Sequence, residues 1–197
     1  MTLAATRLAP GFADPVRDST HAFRAVMDAM ANPGTVQRLG FTLPRFTAVE
    51  SAAIATLLTL ADGETPVWLS PDIDPELAPY LRFHCGCPII GQAKAAAFAL
   101  IGQGEDAAQA FGFDVGTDEY PDRSATVLIQ VAALAGGADV TLHGPGIKDT
   151  RRIAPELPTA FWDGWRRNAA LYPRGIDVLL VCGEAILGLP RSSQIKE

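Results

Sequence analysis

The sequence predicts a single mixed α/β domain, with helices packed on a central sheet. Three observations carry this reading. Segments with a helical period are interleaved with short β-branched runs, two of the later runs are punctuated as hairpins, and no linker or internal repeat divides the 197 residues. A chain of this length buries roughly 70% of the surface its unfolded form exposes, enough for a full core. Residues 1–11 and 190–197 are expected to be flexible or arm-like at the two ends of a domain covering 1–197.

The first helix is the best-marked element. Asp14-Pro15 suits an N-cap followed by the first helical position, where proline's missing N–H is not needed. Phe23, Val26, Met27 and Met30 fall at i, i+3, i+4 and i+7 and predict a buried stripe. Asn32-Pro33-Gly34 ends the helix, because Pro33 disfavours the α conformation at Asn32. Thr35 to Leu39 is a short strand or an extended arm. Thr47 and Glu50 have the spacing of a capping box opening a second helix through Ile54, Leu57, Leu58 and Leu60, closed by Asp62-Gly63.

Thr65 to Leu69 is predicted as a short buried strand and Glu76 to Phe83 as a short helix, with a loop from His84 to Pro88. The alanines of 93–101 favour helix, while Ala97 to Ile101 is also compatible with a strand. A helical turn or two is expected over Glu105 to Ala110, then a long loop from Gly112 to Ser124. Thr126 to Leu134, Gly136-Gly137 and Val140 to Leu142 predict a hairpin. Thr159 to Leu171 reads as a helix carrying Phe161, Trp162 and Trp165. Ile176 to Cys182 and Ala185 to Leu187, around Gly183-Glu184, predict a second hairpin, with a polar tail from Gly188.

Net charge is −6 and the isoelectric point near 5.0, which argues against nucleic acid as a partner. The absence of a secretory signal pattern and of an apolar run of membrane-spanning length points to a soluble, cytoplasmic protein. Three cysteines give no disulfide framework and suit a reducing compartment. No metal is expected: His84, Cys85 and Cys87 are close, but no second ligand cluster completes a site.

No nucleophile elbow, P-loop or dinucleotide fingerprint is present, and no residue is assigned a catalytic role. The best ligand-site candidate is the run Gly144 to Arg152. There a rigid Gly-Pro-Gly turn precedes Lys148, Arg151 and Arg152, and Gly144 and Gly146 free the backbone to approach an anion. The same run also reads as a turn whose basic residues are solvated or pair with Asp149. Arg24 stands beside the apolar stripe, four residues before Asp28, and fits either an intrahelical ion pair or a contact to another chain. Met27 and the tryptophans fit a core or an interface equally.

Taken in order, several short motifs resemble one family over about 180 residues. They are Phe12-x-x-Pro15-Val16, Phe23-Arg24-x-x-Met27-x-Ala29-Met30-Ala31-x-Pro33-Gly34 and Leu57-Leu58-x-Leu60-x-Asp62, then Tyr120-Pro121-x-x-Ser124-Ala125-Thr126 and Leu142-x-Gly144-Pro145-Gly146-Ile147. Asn168, Pro173-Arg174-Gly175-x-Asp177 and Gly188-Leu189-Pro190-Arg191 complete the set. This pattern is similar to the PhnH family, the H subunit of the bacterial carbon–phosphorus lyase system that degrades phosphonates. The cysteines and Thr20-His21 depart from it.

The resemblance implies a shortened relative of the pyridoxal-phosphate transferase fold, lacking the cofactor and its site. It implies a homodimer that joins the G, I and J subunits in a core complex. With the G and I subunits and the associated L protein, such a subunit is needed to attach an alkylphosphonate to the ribose C1 of ATP, displacing adenine. The nucleosidase chemistry belongs to the I subunit and radical carbon–phosphorus cleavage to J. The expected role of the H subunit is therefore structural, with Arg24, Met27 and Arg191 as docking candidates. Direct phosphonate or nucleotide binding at Gly144–Arg152 is the alternative. A third reading, a pyridoxal anchor, would need Lys94, Lys148 or the tail residue Lys196, and no neighbour in sequence obviously lowers an amine pKa there.

Overall fold

The computed structural model describes residues 9–103 and 106–196. The helices are α1 (Pro15–Ala31), α2 (Ser51–Leu60), α3 (Leu77–Cys85) and α4 (Thr159–Ala169). The strands are β1 (Val36–Arg38), β2 (Val67–Leu69), β3 (Ile89–Ile90), β4 (Phe98–Ile101), β5 (Thr126–Gln130), β6 (Val140–His143), β7 (Arg151–Ile153), β8 (Asp177–Cys182), β9 (Ala185–Leu189) and β10 (Gln194–Ile195). Seven of them form one sheet in the order β1-β9-β8-β5-β4-β2-β3. From β8 to β3 the neighbours are parallel, whereas β9 and β1 run antiparallel at the other edge. The remaining three form a small antiparallel sheet in the order β10-β6-β7. The fold class is mixed α/β.

The sheet is covered on both faces, and strand periodicity sorts its side chains between two cores. Leu100, Leu128, Leu179, Val181 and Ile186 pack with α1, α2 and α3. Their strand neighbours Ile101, Val127, Ile129, Val178 and Leu180 pack with Phe161, Trp162 and Trp165 of α4 and with Leu142 and Ile153 of the small sheet. The continuous apolar run of β5 reflects this burial on both sides.

Helix α1 starts as its sequence predicts: Asp14 Oδ1 accepts from Arg17 N–H at 3.1 Å, with Pro15 at the first helical position. The predicted buried stripe holds at Val26, which is buried, and at Met30, which is partly covered. It is corrected at Phe23 and Met27, which are 48% and 51% exposed; Ala22, Ala25 and Ala29 complete the inner face. The physical reason lies on β9, where a Cβ on Gly188 would come within 2.4 Å of the Ala29 carbonyl oxygen. A helix this close to a strand must turn its small residues inward, so its large ones face out.

The capping box is also corrected. Helix α2 begins at Ser51 without a side-chain cap. Thr47 N–H donates to Asp74 Oδ2 at 2.8 Å and Glu50 N–H to Gln130 Oε1 at 2.6 Å, so distant residues satisfy these donors. Asp74 accepts from Thr47 and also from Glu76 N–H, and these two bonds hold its carboxyl below the ordinary range.

Three further expectations change. β5 and β6 do not form a hairpin, because β4 and β8 occupy both edges of β5 and β6 pairs with β7 and β10. His84 and Cys85 belong to the end of α3 rather than to a loop. Residues 190–196 are tied down rather than arm-like: β10 pairs with β6, Ser193 is fully buried, and its carbonyl accepts from Trp165 Nε1 at 3.1 Å. At the other end, the expected arm falls outside the described residues over 1–8, while the Ala9 and Pro10 carbonyls meet His84 Nε2 and Tyr80 Oη at 3.0 and 3.1 Å. The β8–β9 hairpin forms as predicted, and the ambiguous segment resolves into a 3-10 turn at Ala93–Ala95 followed by β4. A second 3-10 segment covers Ala107–Gly112, and Glu105, included in that prediction, lies outside the described residues.

Candidate functional site

The Gly144–Arg152 run connects β6 to β7 and is wedged against the exit of α1. Gly146 has φ +80, and a Cβ there would lie 2.1 Å from the Ala31 carbonyl oxygen. Gly144 has φ +135 and faces the Ser192 carbonyl, which a Cβ would approach to 2.7 Å. Both glycines thus permit close backbone packing that any L side chain would obstruct. Arg151 Nη1 donates to the carbonyls of Asn32 and Pro33 at 3.2 and 2.8 Å. Its charge sits at the C-terminal end of α1, where the helix dipole favours a cation.

The three cations of this run do not converge. Arg151 and Arg152 are successive residues of β7, so they project from opposite faces of the small sheet. Arg152 Nη1 lies 3.6 Å from Asp139 Oδ2, with both side chains largely exposed, so the pair contributes little. Asp139, not Asp149, is its partner. Lys148 is exposed on the turn.

Arg24 and Met27 lie together on the outer face of α1. Val16, Phe23 and Met27 are spaced i, i+7 and i+11, and with Val16 79% exposed they form an apolar line along the solvent side of the helix. Arg24 is exposed beside it, and the expected ion pair to Asp28 is not among those formed by the described residues.

Arg191 is used inside the chain. Its Nε is 3.2 Å from both carboxylate oxygens of Asp177, Nη2 also reaches that carboxylate, and Nη1 donates to the Pro121 carbonyl. The Arg191 backbone N–H donates to Asp177 Oδ1 at 2.8 Å. Both side chains are only 17% exposed. The pair lines an open, shallow depression of about 400 Å³ together with Pro121, Tyr172, Pro173 and Ser192. Among the described residues, no three His, Cys, Asp or Glu side chains are grouped to hold a metal ion. No helix among them is long and apolar enough to cross a membrane. Lys94, the other candidate amine, donates to the Phe113 carbonyl at 2.8 Å.

Sequence reasoning missed Gln130. Its amide is 4% exposed at the end of β5, where Oε1 accepts from Glu50 and Nε2 donates to Ala48 O at 2.8 Å. It clamps a turn in which Ala48 has φ +56, a left-handed conformation unusual for alanine. The available signal was an amide within an otherwise apolar run, which must find partners if the run is buried.

A family model described as "Bacterial phosphonate metabolism protein (PhnH)" matches residues 10–196. The chain belongs to the PhnH family. Among curated relatives, the "Alpha-D-ribose 1-methylphosphonate 5-triphosphate synthase subunit PhnH" of Rhizobium meliloti (strain 1021) is 40% identical over 198 residues, covering 100% of this chain and 99% of the relative. The "Putative C-P lyase subunit protein HtxG" of Stutzerimonas stutzeri is 28% identical over 177 residues, covering 88% of this chain and 84% of that protein. Both relatives are named as subunits, and the PhnH family is one of phosphonate metabolism. The motifs quoted from the sequence map onto the packing just described: Pro33-Gly34 and Gly144-Pro145-Gly146 at the α1 exit, and Pro121, Asp177 and Arg191 in one bonded cluster.

Proposed function

We propose that this chain is a cytoplasmic, non-catalytic subunit of an assembly that makes α-D-ribose 1-alkylphosphonate 5-triphosphate from ATP and an alkylphosphonate, in phosphonate catabolism. The family and the full-length relative named as a synthase subunit support the pathway. The outer face of α1 supports the docking role: Val16, Phe23 and Met27 are large apolar side chains left in solvent on a helix whose inner face is already packed, with Arg24 beside them. Such a face with an adjacent arginine has the composition of an interface core. The partners in this reading are the G, I and J subunits, and the chain also forms a homodimer.

The test is co-expression with the G, I and J subunits, followed by size exclusion. Wild type is expected to co-migrate with them, and Phe23→Glu/Met27→Glu to elute apart while retaining its folded circular dichroism. Failure of wild type to co-migrate overturns the subunit role. Co-migration of the double variant overturns the assignment of the face.

Direct binding of phosphonate or nucleotide at the Gly144–Arg152 turn is a second reading, favoured by the exposure of Lys148 and the loose, solvent-exposed hold on Arg152. Calorimetry with ATP and with methylphosphonate decides it. Heat from wild type that disappears in Lys148→Ala/Arg152→Ala supports binding there, and no heat from wild type rejects it for the isolated chain.

A further inference from the structure

We infer that the outer face of α1 receives one amphipathic helix of a partner chain, whose apolar seam is flanked by carboxylates a heptad apart. This rests on the docking role proposed for that face and adds the shape and charge of what docks there. The seam is regular. Val16, Thr20, Phe23 and Met27 follow one another at four, three and four residues, the alternation that keeps a line of side chains along one side of a helix. All four are exposed, and at about 100° per residue they lie opposite the buried Ala22, Ala25 and Ala29. The Thr20 hydroxyl donates to the Val16 carbonyl at 2.7 Å, so what this residue adds to the seam is a methyl group. From Val16 to Met27 the line runs about 16 Å, the length of three helical turns.

The unused charge lies on one side of that seam. Arg17 follows Val16 and Arg24 follows Phe23, so both take the position that flanks a helix–helix contact, about 10 Å apart along the axis. Both are exposed, and neither joins an ion pair among the described residues. With Val16, Thr20 and His21 they line an open recess of about 420 Å³. Two neighbouring carboxylates are already engaged within the helix: Asp14 Oδ1 accepts from Arg17 N–H and Asp18 Oδ2 from Asp14 N–H, each at 3.1 Å. The other flank is uncharged. There Ser19 donates to the Pro15 carbonyl and Val26 is buried.

A second copy of this chain is the wrong occupant. On the charged flank the sequence runs Asp14, Arg17, Arg24, Asp28, a pattern of signs that is the same read in either direction. Two-fold antiparallel pairing, with Val16 level with Met27 and Thr20 with Phe23, brings Arg17 of one copy towards Arg24 of the other and Asp14 towards Asp28. Like charges then oppose like along the whole contact. Parallel pairing sets both arginines against the uncharged flank, where Ser19 and Val26 offer no partner. A foreign helix with carboxylates facing Arg17 and Arg24 gains two ion pairs instead. Burial of the seam supplies the affinity, and the pairs select the partner and fix its register.

Photo-cross-linking in the complex co-expressed with the G, I and J subunits tests this, using the full chain with p-benzoylphenylalanine in place of His21, beside the recess. The expected product joins this position to a helix of another subunit that carries carboxylates seven residues apart beside an apolar seam. Arg17→Glu/Arg24→Glu is expected to weaken association roughly tenfold or more, and Arg17→Lys/Arg24→Lys to retain it. Arginines in place of the two carboxylates of the cross-linked helix should restore association with Arg17→Glu/Arg24→Glu, which a merely structural role for these residues would not allow. A cross-link to a second copy, to a strand, or to a helix without such carboxylates overturns the inference and leaves the subunit role standing. So does a complex that forms without any cross-link. Full association of Arg17→Glu/Arg24→Glu, where Phe23→Glu/Met27→Glu dissociates, keeps the face and overturns the charge matching. Wild type that joins no complex overturns the subunit role and this inference together, and is told apart by the missing co-migration.

Discussion

Asp177 on β8 and Arg191 beyond β9 are joined by a forked ion pair, and the same guanidinium reaches across to the Pro121 carbonyl. One arginine thus ties the start of a central strand, the C-terminal segment and the loop before β5. With both partners only 17% exposed, removing one leaves the other with poor access to water. Arg191→Ala is expected to cost about 2–3 kcal/mol of unfolding free energy, measured by urea titration. Arg191→Lys restores little of it, since an ammonium cannot serve the carboxylate in two places and the carbonyl together. A double-mutant cycle should give Arg191/Asp177 a coupling above about 1 kcal/mol, against under about 0.5 for the exposed Arg166/Asp163 pair. Equal couplings would remove this pair from the account of stability.

Gly146 makes a sharper test of how α1 is seated. Alanine there meets two penalties, a left-handed φ of +80 and a Cβ driven 2.1 Å from the Ala31 carbonyl oxygen. Gly146→Ala should cost about 3 kcal/mol, combining roughly 1–2 for the conformation with overpacking that the rigid Gly-Pro-Gly turn cannot relax. Gly183→Ala is the control: its φ is +59 but nothing lies within 4 Å of its Cβ, so only about 1 kcal/mol is expected. Similar losses at the two sites in thermal melts would show that the approach to α1 is not tight.

How much of this was legible follows from which forces are local. The start and stop of α1 were readable because Asp14, Pro15 and Pro33 act within a few residues of themselves. The β8–β9 hairpin was readable for the same reason. Which face of α1 is buried was not, because Gly188, some 160 residues away in sequence, lets the strand approach the helix backbone at Ala29 so closely that mostly small side chains fit between them. Periodicity gave the amphipathic helix but assigned its inside to the larger side chains. Arg191 read as a tail residue since its partners Asp177 and Pro121 meet only once the sheet has formed. The same holds for Arg151, whose carbonyl partners lie at the far end of α1.

Gln130 offers a case where an apolar replacement of similar size should still fail. Gln130→Leu removes the partners of Glu50 N–H and Ala48 O together, leaving a donor and an acceptor with restricted water. About 2–3 kcal/mol should be lost in chemical denaturation. Because the clamp also holds Ala48 at φ +56, Ala48→Gly in the variant background should recover part of that loss, of order 0.5–1 kcal/mol. No recovery would mean that the strain at Ala48 is relieved in some other way once Gln130 is gone.

Tyr80 supplies the pH-dependent test. Its phenol is pushed up to about 12 from the usual 10.0, chiefly by burial in the α3 face and secondarily by Cys85. Its hydroxyl donates to the Pro10 carbonyl at 3.1 Å, a bond that ionisation abolishes. The folded state therefore holds this proton more tightly than the unfolded chain. The resulting stability is fully present below about pH 10 and is lost as pH rises through about 12. Absorbance titration of the folded protein near 295 nm should show a tyrosinate step near pH 12 that is missing in Tyr80→Phe. Between pH 10 and 12 wild type should also lose stability more steeply than that variant. A wild-type curve identical to the Tyr80→Phe curve, after scaling for tyrosine number, would place the Tyr80 hydroxyl in water and detach Pro10 from α3.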